Sequence, residues 1–86
     1  MGRVLTVQRA MIPATERARY FAKLRARKAH YAGASCRFWV FEEVGLPGLF
    51  FEFTEAGDAA TLRAAHAKSP EPVRDPSRVY AEVEIE

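Results

Sequence analysis

The sequence predicts an α+β domain in which a four-stranded antiparallel sheet carries two helices on one face. Three observations support this prediction: a central hairpin, a helix-forming stretch on either side of it, and a last segment that alternates strictly between apolar and polar residues. The order is therefore strand, helix, strand, strand, helix, strand. Two split βαβ halves with right-handed crossovers then give a ferredoxin-like fold.

The first strand and the longer helix come first. Residues 3–12 alternate as a strand, and Pro13 ends it because proline has no N–H to donate to a neighbouring strand. Residues 14–32 contain strong helix formers with a narrow apolar stripe, and Gly33 is expected to end the helix in the left-handed conformation. The stripe consists of Ala18, Phe21, Ala22, Leu24 or Arg25, Ala29 and Ala32.

The central hairpin holds the only tryptophan and five of the six phenylalanines. Its strands are residues 38–41 and 49–53, and residues 45–48 (GLPG) provide the proline and glycines of a tight turn. Residues 38–41 (FWVF) are apolar on both sides of the strand, whereas a strand with one exposed side alternates. Both faces of the hairpin are therefore expected to be covered, which favours a dimer for so short a chain.

The second helix and the last strand complete the pattern. Asp58 is the expected N-cap of a helix over residues 58–68. Residues 69–77 hold three of the five prolines and are expected to form an extended connection. Residues 78–86 (RVYAEVEIE) alternate strictly and predict the fourth strand.

The alternation assigns each strand residue to one of the two faces of the sheet. We expect the helices to cover Leu5, Val7, Phe51, Phe53, Val79, Ala81, Val83 and Ile85. The other face is expected to carry Thr6, Gln8, Phe50, Glu52, Thr54, Tyr80, Glu82 and one aromatic pair from residues 38–41. Left bare, it would expose an apolar patch of the size that marks an interaction site. A second copy packed against it would cover it, so the sequence predicts a homodimer that closes into a barrel.

Length and composition favour a single folded domain over residues 1–86, with 49% hydrophobic and 28% charged residues. The net charge of +2, from 13 basic and 11 acidic residues, is too balanced to indicate a nucleic-acid partner. No apolar run approaches the roughly 18 residues that a membrane-spanning helix needs, and charges interrupt the start where a signal peptide is apolar. We therefore expect a cytoplasmic protein without a membrane partner. Cys36 is the only cysteine, which excludes an intrachain disulfide and a cysteine metal cluster.

Several motifs resemble a known family. They are FWVFEE, the Pro-Gly turn, LFFEFTEAGD and the final VYAEVEIE, in the predicted order of elements. Together they are similar to the dimeric α+β barrel superfamily, and within it to antibiotic-biosynthesis-monooxygenase-like and stress-responsive barrel proteins. The resemblance implies a homodimer. It does not select an activity, because the superfamily includes haem-degrading enzymes, isomerases and members without known activity.

A cavity between the two sheets of such a dimer is the expected binding site, because ligand pockets are concave and largely apolar with a few polar groups. Glu52 and Tyr80 are the predicted catalytic residues, with Glu52 as a proton acceptor or hydrogen-bond anchor on an otherwise apolar strand. The alternative for Glu52 is an ion pair with an arginine across the sheet, such as Arg9 or Arg37. The other candidate pocket residues are Gln8, Trp39, Phe50, Glu82 and His66.

The two histidines, His30 and His66, lie in different predicted helices, so no metal site is expected. His66 is open to two interpretations: a haem ligand or general base, or a partly buried histidine at a helix end. Haem-degrading members of the superfamily use Asn, Trp and His together, and this sequence has no asparagine. We therefore expect no haem and no other cofactor.

Three functions remain open. The first is a homodimeric barrel that encloses a small aromatic or apolar ligand between its sheets. The second is a cofactor-independent monooxygenase-like enzyme that uses Glu52 and Tyr80 on a small aromatic substrate. The third is a structural dimer whose barrel is filled by side chains. An enzyme needs a substrate-sized cavity and a Glu52 carboxylate without an arginine partner, and the structural dimer has neither.

Overall fold

One antiparallel sheet of four strands, in the order β2-β3-β1-β4, forms the centre of the fold. The computed structural model describes residues 2–85. The strands are β1 (Val4–Met11), β2 (Arg37–Glu42), β3 (Leu49–Ala56) and β4 (Tyr80–Ala81), and the helices are α1 (Arg17–Gly33) and α2 (Ala59–Ala67). A short 3-10 turn, Ala14–Glu16, precedes α1. The arrangement confirms the predicted α+β fold with its ferredoxin-like βαββαβ order.

Both helices pack on the same face of the sheet. Tyr20 of α1 donates a hydrogen bond to Glu52 of β3, and His66 of α2 is hydrogen-bonded to Thr6 of β1. Since Gln8 lies opposite Glu52 in the β1–β3 register, the even-numbered residues of these two strands all point toward the helices. The core therefore lies between the helices and this side of the sheet.

The predicted assignment of the two sheet faces is wrong for the central strands. The residues buried under the helices include Thr6, Phe50, Glu52 and Thr54. The opposite face carries Leu5, Val7, Phe51 and Phe53. The physical reason is that polar sheet residues find hydrogen-bond partners on the helices, which an alternation of apolar and polar residues cannot reveal. At the C-terminal end of the chain, Val79 packs against the core, as predicted.

Helix α1 turns a different stripe toward the sheet from the one predicted. Its buried residues recur at steps of four, three and four, and they are Tyr20, Leu24, Arg27 and Tyr31. The alanines of the predicted stripe, Ala18, Ala22, Ala29 and Ala32, are exposed. Tyrosine and arginine can take these positions because their long apolar parts pack while their polar tips reach the polar residues of the sheet.

Two positions with positive φ shape the connections. Gly48, with φ of 99°, ends the hairpin turn, and its carbonyl accepts a hydrogen bond from Ile12 N at 2.8 Å. After α1 the left-handed residue is Ser35, with φ of 63°, and not Gly33 as predicted. The reason is that helical hydrogen bonding continues through Gly33, and the Tyr31 carbonyl then accepts from both Ala34 N and Cys36 N.

The last strand is shorter than predicted. Pairing with β1 is limited to Tyr80–Ala81, followed by one hydrogen bond from Glu82 N to Arg3 O at 2.9 Å. Val83 and Ile85 are 77% and 92% exposed. Residues 83–85 extend past the start of β1 at Val4, so within residues 2–85 no strand lies beside them to pair with.

Neither of the two helices within residues 2–85 is long and apolar enough to cross a membrane. Helix α1 has 17 residues with many basic side chains, and α2 has nine.

Asp58 caps α2 as predicted, because its carboxylate accepts a hydrogen bond from Thr61 N at 2.7 Å.

Candidate functional site

A buried ion pair lies between α1 and the sheet. Arg27 Nη1 is 3.0 Å from Glu52 Oε1, and both side chains are more than nine-tenths buried. The Tyr20 hydroxyl donates a hydrogen bond to Glu52 Oε2 at 2.6 Å, so each carboxylate oxygen has a partner. The predicted alternative for Glu52, an ion pair with an arginine, is therefore confirmed in kind, but the partner comes from α1 and not from Arg9 or Arg37.

The Tyr20 hydroxyl is held in its protonated form. Its pKa is raised above the ordinary value first by burial, then by the hydrogen bond to Glu52 and the negative charge of that carboxylate. Tyr20 is therefore a permanent hydrogen-bond donor to Glu52 at neutral pH. Its ring packs on Phe50, with a centroid separation of 4.8 Å.

The Arg27 guanidinium has donor capacity that the protein does not use. Its Nε is buried and has no hydrogen-bond partner within residues 2–85. Its Cζ lies 4.8 Å from the centre of the Phe38 ring, which stabilises the charge but accepts no strong hydrogen bond. A buried unpaired N–H costs about 1–3 kcal/mol, so the position of the Arg27 side chain is maintained at some cost to stability.

A cavity of about 210 Å³ borders this ion pair. We call it the α1–sheet cavity. It is half open to solvent and is lined by α1, by the neighbouring positions of β1 and β3, and by the connection between α2 and β4. Among the lining residues are Gln8, Tyr20, Lys23, Arg27, Glu52 and Arg74. The buried Arg27 and Glu52 form its floor, while the exposed Lys23 and Arg74 lie at its mouth.

A second polar group lies nearby in the core and holds His66. The imidazole Nε2 is 2.8 Å from Thr6 Oγ1, and Nδ1 is 2.8 Å from Tyr31 Oη. Burial lowers the pKa of His66, and the positive charge of Arg27 adds to this effect, so the ring is neutral at pH 7. Both ring nitrogens are occupied, which leaves neither free to bind a haem iron.

The predicted site residues do not converge on one cavity. Gln8, Phe50, Glu52 and His66 lie on the helix side of the sheet, whereas Trp39, Tyr80 and Glu82 lie on the other. Glu52 and Tyr80 are therefore on opposite faces and cannot act on one substrate as predicted. Tyr80 is half exposed, and Glu82 pairs with Arg3 at 3.3 Å.

Sequence reasoning missed Tyr20 and Arg27, the two α1 residues that contact Glu52. A signal for them exists: together with Leu24 and Tyr31 they recur at helical spacing, so the alternative stripe was present in the sequence. The predicted stripe consisted mainly of alanines, because an arginine is usually exposed and was therefore not expected in the buried face of the helix.

The face of the sheet without helices is rich in aromatic residues. Trp39 stacks on Phe53 with the centroids 6.0 Å apart, and Phe41 meets Phe53 edge-on at 5.7 Å. Phe41 is 58% exposed. We call this surface the aromatic face, and it consists of Leu5, Val7, Met11, Trp39, Phe41, Leu49, Phe51 and Phe53.

An ion-pair group borders the aromatic face. Glu55 is buried, with Oε2 2.8 Å from Arg3 Nη1 and Oε1 3.8 Å from Arg37 Nε.

Within residues 2–85, no group of three or more His, Cys, Asp or Glu side chains is placed to hold a metal ion.

Comparison with known proteins identifies no relative. No protein-family model, curated protein or solved structure matches the chain. The likeness to the dimeric α+β barrel superfamily therefore stays a prediction from the sequence motifs.

Proposed function

We propose that the protein is a homodimer that binds a small molecule in the α1–sheet cavity of each subunit. The observation that carries the binding function is the buried Arg27–Glu52 ion pair, which lines a half-open cavity beside Gln8, a residue with no side-chain hydrogen bond within residues 2–85. Burying charged side chains carries a large desolvation cost, and a few convergent polar groups in a concave site are typical of ligand pockets, so a buried ion pair at such a cavity is a candidate binding site. This location differs from the predicted one, since it lies under the helices and not between two sheets.

The aromatic face supports the homodimer. Large exposed apolar patches on small proteins mark interaction surfaces, and a symmetric dimer would cover this face with its own copy. Sheets that pack face to face are about 10 Å apart, so the aromatic rings of both copies would occupy most of the space between them. The barrel interior is therefore proposed to be filled by side chains, and the ligand to bind elsewhere.

The monooxygenase-like alternative is less well supported. It requires a Glu52 carboxylate free to accept a proton, and Arg27 and Tyr20 engage both of its oxygens. Tyr80, its proposed partner in catalysis, lies on the aromatic-face side of the sheet. Binding is thus the function that the geometry supports best.

Native mass spectrometry of the purified protein tests both parts of the proposal. We expect a species of twice the chain mass of 9.7 kDa, and any co-purified ligand as an additional mass that is lost on denaturation. A single-chain mass at micromolar concentration would contradict the homodimer. Failure of every small molecule in a fragment screen to perturb backbone NMR signals around Arg27 would contradict the binding function.

A further inference from the structure

We propose that residues 81–85 of each copy pair, as an added strand, with the free edge of β2 in the other copy. This inference rests on the proposed homodimer and specifies how its two sheets are joined. We call residues 81–85 the C-terminal segment, and we call the side of β2 that faces away from β3 the β2 edge. Within residues 2–85, no strand lies beside the β2 edge or beside the outer side of the C-terminal segment.

The free backbone groups of the β2 edge belong to Phe38 and Val40. On its other side β2 pairs with β3, and the ladder continues with a hydrogen bond from Glu43 N to Leu49 O at 2.9 Å. Bonded and non-bonded residues alternate in an antiparallel pair, so the odd-numbered residues of β2 point their N–H and C=O groups at β3. Phe38 and Val40 therefore point theirs outward, and such an edge is a template for a further strand.

The C-terminal segment presents matching groups. Glu82 N donates a hydrogen bond to Arg3 O, so the same alternation turns the N–H and C=O groups of Val83 and Ile85 away from β1. The segment has the alternation of a strand, although its side chains Val83 and Ile85 are largely exposed. A strand partner from outside the subunit would use both the backbone groups and the apolar side chains.

The sheet topology brings these two edges together in one of two face-to-face arrangements. β2 and β4 are opposite edges of the sheet, and they run in opposite directions, because β2 and β1 are both antiparallel to β3 and β4 is antiparallel to β1. A two-fold axis along the strands therefore places β4 of one copy antiparallel to β2 of the other. An axis across the strands would place β4 beside β4. Closing a barrel staggers neighbouring strands, so a segment that runs past β1 can lie along β2 of the second copy.

Charge favours the arrangement that pairs the C-terminal segment with β2. The segment carries Glu82 and Glu84, and pairing it with its own copy would bring these carboxylates together. Basic side chains lie around the β2 edge instead, and they are Arg25, Lys28 and Arg37. Glu42, at the far end of β2, is already paired with Arg17 at 2.9 Å.

An open apolar groove of about 320 Å³ lies between α1 and the β2 edge. Its apolar lining residues are Phe21, Leu24, Phe38, Trp39 and Val40. In the C-terminal segment, Ala81 lies opposite Val4, whose side chain points to the helix side of the sheet. Val83 and Ile85 follow at steps of two and point to the same side. As an added strand, the segment would therefore bring these two side chains to the groove of the second copy.

Amide hydrogen exchange in the intact protein, followed by ¹H–¹⁵N NMR, tests the pairing. Val83→Lys places a positive charge in the apolar groove beside two basic side chains of α1. Val44→Lys is the matched control, because Val44 is also a largely exposed valine and does not line the groove. We expect the amides of Phe38 and Val40 to exchange about tenfold or more slowly in the wild type and in Val44→Lys than in Val83→Lys. The amide of Trp39 faces β3 and should exchange alike in all three proteins.

The outcomes separate this inference from the proposed homodimer. A native mass of two chains, with equal exchange rates at Phe38 and Val40 in all three proteins, would overturn the strand pairing and leave the dimer standing. Faster exchange at Trp39 as well in Val83→Lys would also overturn the pairing, because it would show a general loss of β2. A single-chain mass of the wild type would overturn both the pairing and the homodimer.

Discussion

At the scale of single residues, charged and hydroxyl side chains determine how the helices pack on the sheet. The Glu52 carboxylate contacts two side chains from different turns of α1. It accepts a hydrogen bond from Tyr20 and forms an ion pair with Arg27. A pair of this kind is costly to bury but costlier to break, because removing one member leaves the other as an uncompensated charge. Arg27 and Glu52 therefore have to be considered as a unit.

A double-mutant cycle measures this coupling. Arg27→Met alone should lower the free energy of unfolding by about 3–5 kcal/mol, since it leaves a buried carboxylate without its cation. The double variant Arg27→Met, Glu52→Gln should recover most of that loss, because a neutral amide can still accept from Tyr20. Urea unfolding at fixed protein concentration gives both values. Losses that simply add would show that the two residues do not stabilise each other.

The buried His66 predicts how stability depends on pH. Its folded-state pKa is lowered, mainly by burial and then by Arg27 and His30, while the unfolded value is about 6.5. Below pH 6.5 the unfolded chain binds a proton that the folded ring resists, so stability is complete above this pH and falls on acidification toward the folded pKa. The slope attributable to one proton is at most about 1.4 kcal/mol per pH unit.

Unfolding free energies measured between pH 7.5 and 5 check this dependence. The His66→Gln variant should be less stable at pH 7.5, because it loses hydrogen-bond geometry to Thr6 and Tyr31, but its stability should fall less as the pH decreases. Parallel pH profiles for the two proteins would mean that another group dominates the acid sensitivity.

At the scale of elements, the sequence was sufficient for the order of strands and helices but not for their orientation. The hairpin, the Asp58 cap and the two helices follow from local chemistry: β-branched and aromatic runs, turn residues and capping. The face of each strand depends on partners from distant segments. Glu52 looked like the polar member of an outward face, and only the positions of Tyr20 and Arg27 show that it points inward.

The length of β4 shows the same limit. Residues 78–86 have a strand pattern throughout, yet a strand exists only where a neighbour offers hydrogen bonds, and β1 offers them to Tyr80–Ala81. The candidate cavity could not be predicted from local patterns either, because the connection that carries Arg74 forms one of its walls from a distant part of the chain.

The hairpin turn gives a prediction at this scale. Gly48→Ala should destabilise the protein by about 1–3 kcal/mol, because φ is 99° there and the new Cβ would lie 2.9 Å from the Ile12 carbonyl oxygen. Gly45→Ala is the matched control in the same turn. Its Cβ would meet nothing closer than 4.0 Å, so it should be neutral within about 0.5 kcal/mol. Thermal unfolding compares them, and equal losses would contradict the backbone argument.

At the scale of the whole molecule, polarity is distributed unevenly across the sheet. The helix side contains two hydrogen-bonded polar groups, centred on Glu52 and His66, in addition to its apolar core. The aromatic face contains four large rings and no helix. A chain of 86 residues has a modest core, so the burial of this face against a second copy would add substantially to its stability.

Replacing one exposed ring of the aromatic face by a charge tests this arrangement. In a symmetric dimer Phe41→Asp places a carboxylate in the interface twice, and at about 1.5–2 kcal/mol for each copy it should weaken dimerisation at least a hundredfold. Val44→Asp is the control, because Val44 is 98% exposed beside the hairpin turn and lies outside the aromatic face. Sedimentation equilibrium gives both dissociation constants, and circular dichroism reports whether the Phe41→Asp monomer stays folded. If Phe41→Asp leaves the dimer as tight as Val44→Asp does, the two copies associate through a different surface.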